Sequence, residues 1–421
     1  MTTPRSIKIV LLFAFPLVLF AQSYGLPALI DSAAHTNGLI KAKEINIKAK
    51  VEQVESAKSA YWPTLDVGAD YSLLSPNYLV SPGQSGNIFA SLRMDLYDGG
   101  RKDALVRAKD FAHKASLFEK AAFEKNITLE IVRDYYGIQT LKATIQALQE
   151  RAKELKAQIE RVKKFKGAGL ATVEDIDKLT AVYENNNFTL ENTKFTLEKS
   201  EENLKLVTGL SATQLKQNYF KEPRKVHFEV FETIKMLQAN ANAVGENANA
   251  IDAGYLPQVN LTDTYHKSHF DDVVTLPGFE GDGFLVEHQN KLMVSVNMRL
   301  FDKGKIAKES EAVKYQKLSL LSEIAYRKKE QKMNFRLAER NLKTTRTKIK
   351  SSKSALKAAQ STYEVVRKKF EAGLVDNIAF LDALAQRTLA DARYKETVYN
   401  YEVRKSIYYY YAGKDPKEFI R

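Results

Sequence analysis

Leu96-Tyr97-Asp98-Gly99-Gly100 closes an alternating stretch and opens a long one without proline, and the same pattern returns as Leu300-Phe301-Asp302-Lys303-Gly304. Two further pairs keep the same spacing. Gly169-Leu170 returns as Gly373-Leu374, and Thr208-Gly209 returns as Ala412-Gly413, each 204 residues on. Separated anchors that hold a single offset mark an internal duplication. Upstream, Tyr61-Trp62-Pro63 matches Tyr255-Leu256-Pro257 at an offset of 194, so the second copy carries ten extra residues between its two strand candidates.

Each copy has the same internal order. In the first, Leu65, Val67, Ala69, Tyr71 and Leu73 alternate with Asp66, Gly68, Asp70 and Ser72, the period of two that predicts a strand with one apolar and one polar face. Residues 74–87 are rich in turn formers. A second strand follows, with Ile88, Ala90, Leu92, Met94 and Leu96 on one face. The second copy repeats the pattern less cleanly over Val259 to Tyr265 and clearly in Leu292, Val294, Val296, Met298 and Leu300, with a loop from Lys267 to Glu287 between them.

Past each second strand the period becomes helical. From Arg101 to about Lys166 there is no proline and only Gly137 as an interior glycine. At about 1.5 Å per residue this segment predicts a helix close to 100 Å long. Its distal half carries a heptad seam: Leu141, Ile145, Leu148, Ala152, Leu155, Ile159 and Val162. The 204-residue offset turns this into Thr345, Ile349, Ser352, Leu356, Ala359, Tyr363 and Val366. A glycine break ends each long helix, and a shorter helix of about 35 to 40 residues follows it. Short helices over about Leu39–Tyr61 and Phe231–Ala253 precede the first strand of each copy.

The predicted organisation is a leader over 1–23, a first copy over 24–209, a linker over 210–230, a second copy over 231–413 and a tail over 414–421. Arg5 and Lys8, the apolar run Ile9–Phe20 and the small residues Ala21 and Ser23 read as a secretory signal. Such a run is too short to span about 30 Å of hydrocarbon as a helix. The chain has no cysteine, which excludes disulfides, thiolate metal sites and a cysteine nucleophile. Its net charge is +13. A secretory leader argues against nucleic acid as the partner, and Lys and Arg interspersed with Glu along helices read as solvated helix surface. No metalloprotease, phosphate-loop or nucleophile motif is present, so no enzyme activity and no cofactor are expected. His266 and His269 with Asp271 and Asp272 resemble a metal cluster only superficially, since they fall in a predicted outer loop.

Strands of about nine residues, apolar on one face, match transmembrane barrel strands. Four cannot close, and an open edge is not tolerated in lipid, so closure demands several copies. In this order and duplication the chain resembles the TolC-like outer-membrane efflux family. The resemblance rests on the two L-[FY]-D-x-G turns, on Lys164-Phe165-Lys166-Gly167-Ala168-Gly169-Leu170 and on Arg367-Lys368-Lys369-Phe370-Glu371-Ala372-Gly373-Leu374. It implies a mostly helical homotrimer whose twelve-stranded β-barrel in outer-membrane lipid continues as a helical barrel across the periplasm of a Gram-negative cell. The implied partners are a periplasmic adaptor and an inner-membrane pump.

Several residues follow as candidates. Asp98, Gly99, Gly100, Asp302 and Gly304 would make the strand-to-helix turns. Gly167, Gly169, Leu170, Thr172, Gly373 and Leu374 would form the hairpin tips, near 166–171 and 371–376, where family members meet their adaptor. Asp175, Asp376 and Asp382 are candidates for an acidic pore constriction. The family's acids six and nine residues past the second tip glycine fall here on Ala379 and Asp382, and its basic residue two past that glycine falls on Val375. The competing expectation is a periplasmic coiled-coil adaptor or structural protein.

Overall fold

The structure is a computed structural model that describes residues 23–78, 80–211, 214–224, 226–274 and 285–421. The leader reading (all but Ser23) and the centre of the 267–287 loop lie outside these residues. Among the described residues no helix is long and apolar enough to cross a membrane.

Both copies build the same series from the first strand on, with one more helix ahead of it in the first copy. In the first, helices α1 (Leu26–Thr36) and α2 (Gly38–Ser59) lead to strands β1 (Thr64–Leu73) and β2 (Gln84–Tyr97). The long helix α3 (Arg101–Gly167) and helix α4 (Val173–Thr208) follow. In the second, α5 (Glu232–Asp252) leads to β3 (Gln258–Asp271) and β4 (His288–Asn297), then to α6 (Lys305–Glu371) and α7 (Asn377–Tyr411). The two long helices are each 67 residues, about 100 Å at the α-helical rise. All of the seam residues quoted above are buried or half-buried, so the heptad stripe is the face each long helix turns inward.

The strands form one antiparallel sheet in the order β1-β2-β3-β4. Its register puts Leu65, Leu92, Asp263 and Leu292 in one row, and Met94, Leu261 and Val294 in another. Alternation therefore adds up to one apolar face across the whole sheet. That face lies open: Leu65 is 68% and Val67 73% exposed, whereas Ser91 on the polar face is only 3% exposed. Asp263 is the carboxylate set among the apolar rows, which is why the alternation of β3 is hard to see.

Several boundaries differ from the sequence expectation. Strand β2 begins at Gln84, within the stretch 74–87 read as turns, because Gln84 to Asn87 pair with both β1 and β3. Strand β3 runs on to Asp271, so the loop is shorter than Lys267–Glu287, because residues to Asp271 pair with β2 as far as Gln84. Strand β4 stops at Asn297 although its alternation continues to Leu300, because its partner β3 begins at Gln258. The helix before β1 is two helices. Pro27 at the start of α1 and the buried face Leu26, Leu29, Ile30 and Ala33 make it a short, regular amphipathic helix. Asn37 then ends it, its side chain accepting from the N–H groups of Leu39 and Ile40 while donating to the Val207 carbonyl at 3.0 Å.

The described residues of the 210–230 segment lie outside the helices and strands but are firmly held. The hydroxyl of Tyr136 donates to the Asn218 carbonyl at 2.8 Å, that of Tyr409 to Lys221 at 3.1 Å and that of Tyr408 to Arg224 at 3.2 Å. Of the tyrosines at 408–411, Tyr408 and Tyr409 are thus core residues. Burial pushes the Tyr409 hydroxyl up to about 12. The tail joins the same belt: Tyr219 and Arg421 exchange backbone hydrogen bonds, and Phe419 stacks on Tyr409. At its centre the ammonium of Lys405, 3% exposed, meets Glu402 at 2.7 Å and the Phe220 carbonyl at 2.9 Å. Glu402 in turn accepts from the Phe220 N–H at 2.7 Å.

Candidate channel wall and hairpin tips

The strand-to-helix turns are built around an aspartate in each copy. A carboxylate oxygen of Asp98 accepts from the Lys102 N–H at 2.8 Å. Asp302 accepts from Gly304 at 2.8 Å and from Ile306 at 3.0 Å. These N–H groups are the free donors of a long helix's first turn, where a negative charge is favoured, and they hold the Asp302 carboxyl below the usual range. Gly100 and Gly304 both have φ near +80°. The preceding residues differ. Gly99 (φ +70°) lies so close to the next copy's entry turn that a β-carbon would sit 2.7 Å from the Ala253 carbonyl oxygen, while Lys303 carries a side chain at φ +56°.

The tips are built alike. At the end of α3 the Leu170 N–H donates to the Phe165 carbonyl at 2.8 Å and that of Gly169 to Lys166 at 3.0 Å. At the end of α6, Leu374 donates to Lys369 at 2.9 Å and Gly373 to Phe370 at 3.1 Å. Both are six-to-one, five-to-two helix terminations with glycine at positive φ, Gly169 at +74° and Gly373 at +73°. Gly167, by contrast, belongs to the last turn of α3. The turn projects Leu170 and Leu374 outward, 76% and 74% exposed.

The restarts after the tips differ. Thr172 and Asp175 form a reciprocal capping box, the Asp175 N–H donating to the Thr172 hydroxyl at 3.2 Å and the Thr172 N–H to the Asp175 carboxylate at 3.0 Å. That backbone contact, with the Thr172 hydroxyl, holds the Asp175 carboxyl below the usual range. In the second copy Asp376 is itself the cap, accepting from Ala379 at 2.9 Å. Since Ala379 lies 204 residues after Asp175, the missing acid corresponds to a capping partner that an aspartate cap makes unnecessary. Val375 is half-buried in the cluster beneath the tips. Asp382 is exposed, and among the described residues it forms no ion pair. Just behind the tips, Asn377 donates to the Asp175 carbonyl at 3.2 Å and Arg161 to the Glu371 carbonyl at 2.9 Å, tying the two hairpins together. Phe370 and Phe380 stack beneath them with ring centroids 4.9 Å apart.

Among the described residues no group of acids and histidines could hold a metal ion. The strand explains this for the histidines, which are an odd number of residues apart. His266 lies on the polar face against Phe89, with ring centroids 5.8 Å apart, and His269 lies on the apolar face beside Asp271.

An open sheet with its apolar side outward, continued by helices about 100 Å long, defines a subunit of a membrane channel rather than an enzyme. The family model described as "Outer membrane efflux protein" matches residues 29–210 and 232–406, so the chain belongs to that family. It is an efflux channel protein of the Gram-negative outer membrane, reaching into the periplasm. Among solved structures it is similar to a membrane protein from Pseudomonas aeruginosa, at 15% identity and a TM-score of 0.78 over 92% of this chain and 93% of that one. It is also similar to the outer membrane protein VceC of Vibrio cholerae, at 15% identity and 0.77 over 92% and 96%. The CmeC outer membrane channel of Campylobacter jejuni gives 16% identity and 0.76 over 92% and 85%. Comparison with curated protein sequences gives no match.

The linker belt was not visible as such in the sequence. Its signal is the pairing of tyrosines at 135–136 and 408–411 in otherwise charged helices.

Proposed function

We propose that three copies close into a twelve-stranded barrel in outer-membrane lipid, continuous with a helical tube, and that this tube receives cargo from an inner-membrane pump through a periplasmic adaptor. The observation that carries this reading is the sheet itself. Its apolar face is exposed and, among the described residues, its edge strands β1 and β4 each have one free side, which lipid does not tolerate unless another copy pairs with it. Two copies would give about the smallest closed barrel, filled by side chains, whereas three leave a lumen.

In this reading the adaptor docks at the tips, on Gly167, Gly169, Leu170, Thr172, Gly373 and Leu374, with the outward leucines as its apolar contacts. Asp382, repeated by the threefold axis, makes an acidic ring at the entrance. Asp175 and Asp376 flank it while capping their helices. Substituting Leu170 and Leu374 by Asp tests the docking: the unboiled oligomer persists on gels while export of toxic compounds fails. Loss of the oligomer together with export would make the positions structural. Single-channel recordings of Asp382→Ala test the ring, and unchanged conductance and cation block would remove it.

A further inference from the structure

At the junction of sheet and helices lies a cavity of about 760 Å³, walled by α3, α5, α6 and the ends of β3 and β4. This falls within the roughly 300–1,000 Å³ typical of small-molecule sites. Two guanidinium groups belong to its wall, Arg101 at the start of α3 and Arg299 just past β4. Among the described residues neither forms an ion pair. The carboxylate in the wall, Glu309, is engaged by Lys305 at 3.9 Å. Leu105, Ile251, Leu256 and Met298 give the same cavity an apolar side. Gln258 and Asn297, also in the wall, are register partners on the polar face of the sheet. The cavity opens at the end of the sheet, beside the polar face that becomes the lumen when the barrel closes, with Met298 of the other alternation also in its wall. Its place on the cargo route rests on the reading above.

The duplication provides an internal control. The residue 204 positions before Arg299 is Asp95, and the residue 204 positions after Arg101 is Lys305. A site with two guanidinium groups is therefore a property of this junction and not of the repeat.

We infer that this cavity is a cargo subsite for amphipathic anions, molecules with one carboxylate, sulfonate or phosphate group on an apolar body. Guanidinium forks bind such groups through paired, charge-assisted hydrogen bonds, and the apolar wall takes the body of the molecule. A small neutral or cationic compound meets only half of this recognition.

The test uses the full-length protein in nonionic detergent, with dansyl-undecanoate as fluorescent probe. Saturable binding that octanoate displaces is expected. The double variant Arg101→Gln/Arg299→Gln should weaken it by about tenfold or more, the loss that goes with removing charge-assisted hydrogen bonds. Arg101→Lys/Arg299→Lys should recover part of it, and the alcohol analogue dansyl-undecanol should bind wild type and both variants equally. Unchanged affinity in the Gln variant, or equal affinity for the matching amine, would overturn the inference. Displacement by phosphatidylglycerol but not by octanoate would also overturn it, in favour of a membrane-lipid contact. Ion conductance in planar bilayers keeps the two readings apart: a wild type that conducts but binds no anion fails only here, while one that does not conduct fails as a channel.

Discussion

The two strand-to-helix turns hold equivalent places in the duplicated chain, yet one needs glycine and the other does not. Gly99 packs against the Ala253 carbonyl and Leu256, leaving no room for a β-carbon. Lys303 adopts almost the same left-handed backbone with a side chain attached. The aspartate and the second glycine are common to both turns. What the copies share is therefore set by the geometry of entering a helix from a strand. What differs is set by a neighbour: the first turn abuts the entry to β3 within the chain, and β4 is an edge strand. The same contrast runs through the belt. Lys405 and Glu402 form a fully buried pair, whereas the positions 204 residues earlier are Glu201, half-buried and paired with Lys142 at 2.8 Å, and Glu198, which is exposed.

The largest effect is expected where the copies differ most. Lys405→Met leaves Glu402 buried without its cation and should cost about 3–5 kcal/mol, while Glu201→Gln in the first copy should cost no more than about 1 kcal/mol. Thermal unfolding of the two variants measures the difference, and equal costs would break the contrast. Next, Gly99→Val should cost on the order of 2–4 kcal/mol through the clash and the strained backbone, against about 1 kcal/mol or less for Lys303→Val. At the tips the copies should behave alike. A β-carbon on Gly169 or Gly373 meets nothing within 4 Å, so Gly169→Ala and Gly373→Ala should each cost only the left-handed strain, about 1–2 kcal/mol. A much larger loss at one of them would show a contact present only in the assembled tube.

The smallest effect is in acid. The Asp175 carboxyl is held below its ordinary value, so its capping contribution is complete above the unfolded value of about 3.9 and is lost as pH falls through the lower folded one. Asp175→Ala should remove that acid-dependent part, no more than about 0.5 kcal/mol for so exposed a group. Hydrogen exchange at the first tip between pH 5 and pH 3 would show it, and an unchanged pH dependence in the variant would deny Asp175 the role.

The architecture was legible because it is periodic and doubled. Alternation over 65–73 and 88–96, heptads over 141–162 and the repeated Asp-x-Gly turn each follow from local geometry. The duplication turned four weak strand signals into a consistent set. What escaped the sequence depends on pairing and on the belt. The length of β3 is fixed by its partner β2 and hidden by Asp263, and α1 hides before Asn37. At the tips the residues were readable from the glycines and the caps that follow them: Asp175 is a capping partner of Thr172, and Asp376 is the cap in the second copy. The cavity between Arg101 and Arg299 joins residues nearly 200 positions apart and has no local signature.

The central claim is that one copy of this sheet cannot stand alone in a membrane. Native mass spectrometry of the protein extracted from outer membranes in mild detergent tests it most directly. Three copies in one heat-sensitive complex is the result expected, and a folded single chain recovered from that membrane would contradict it.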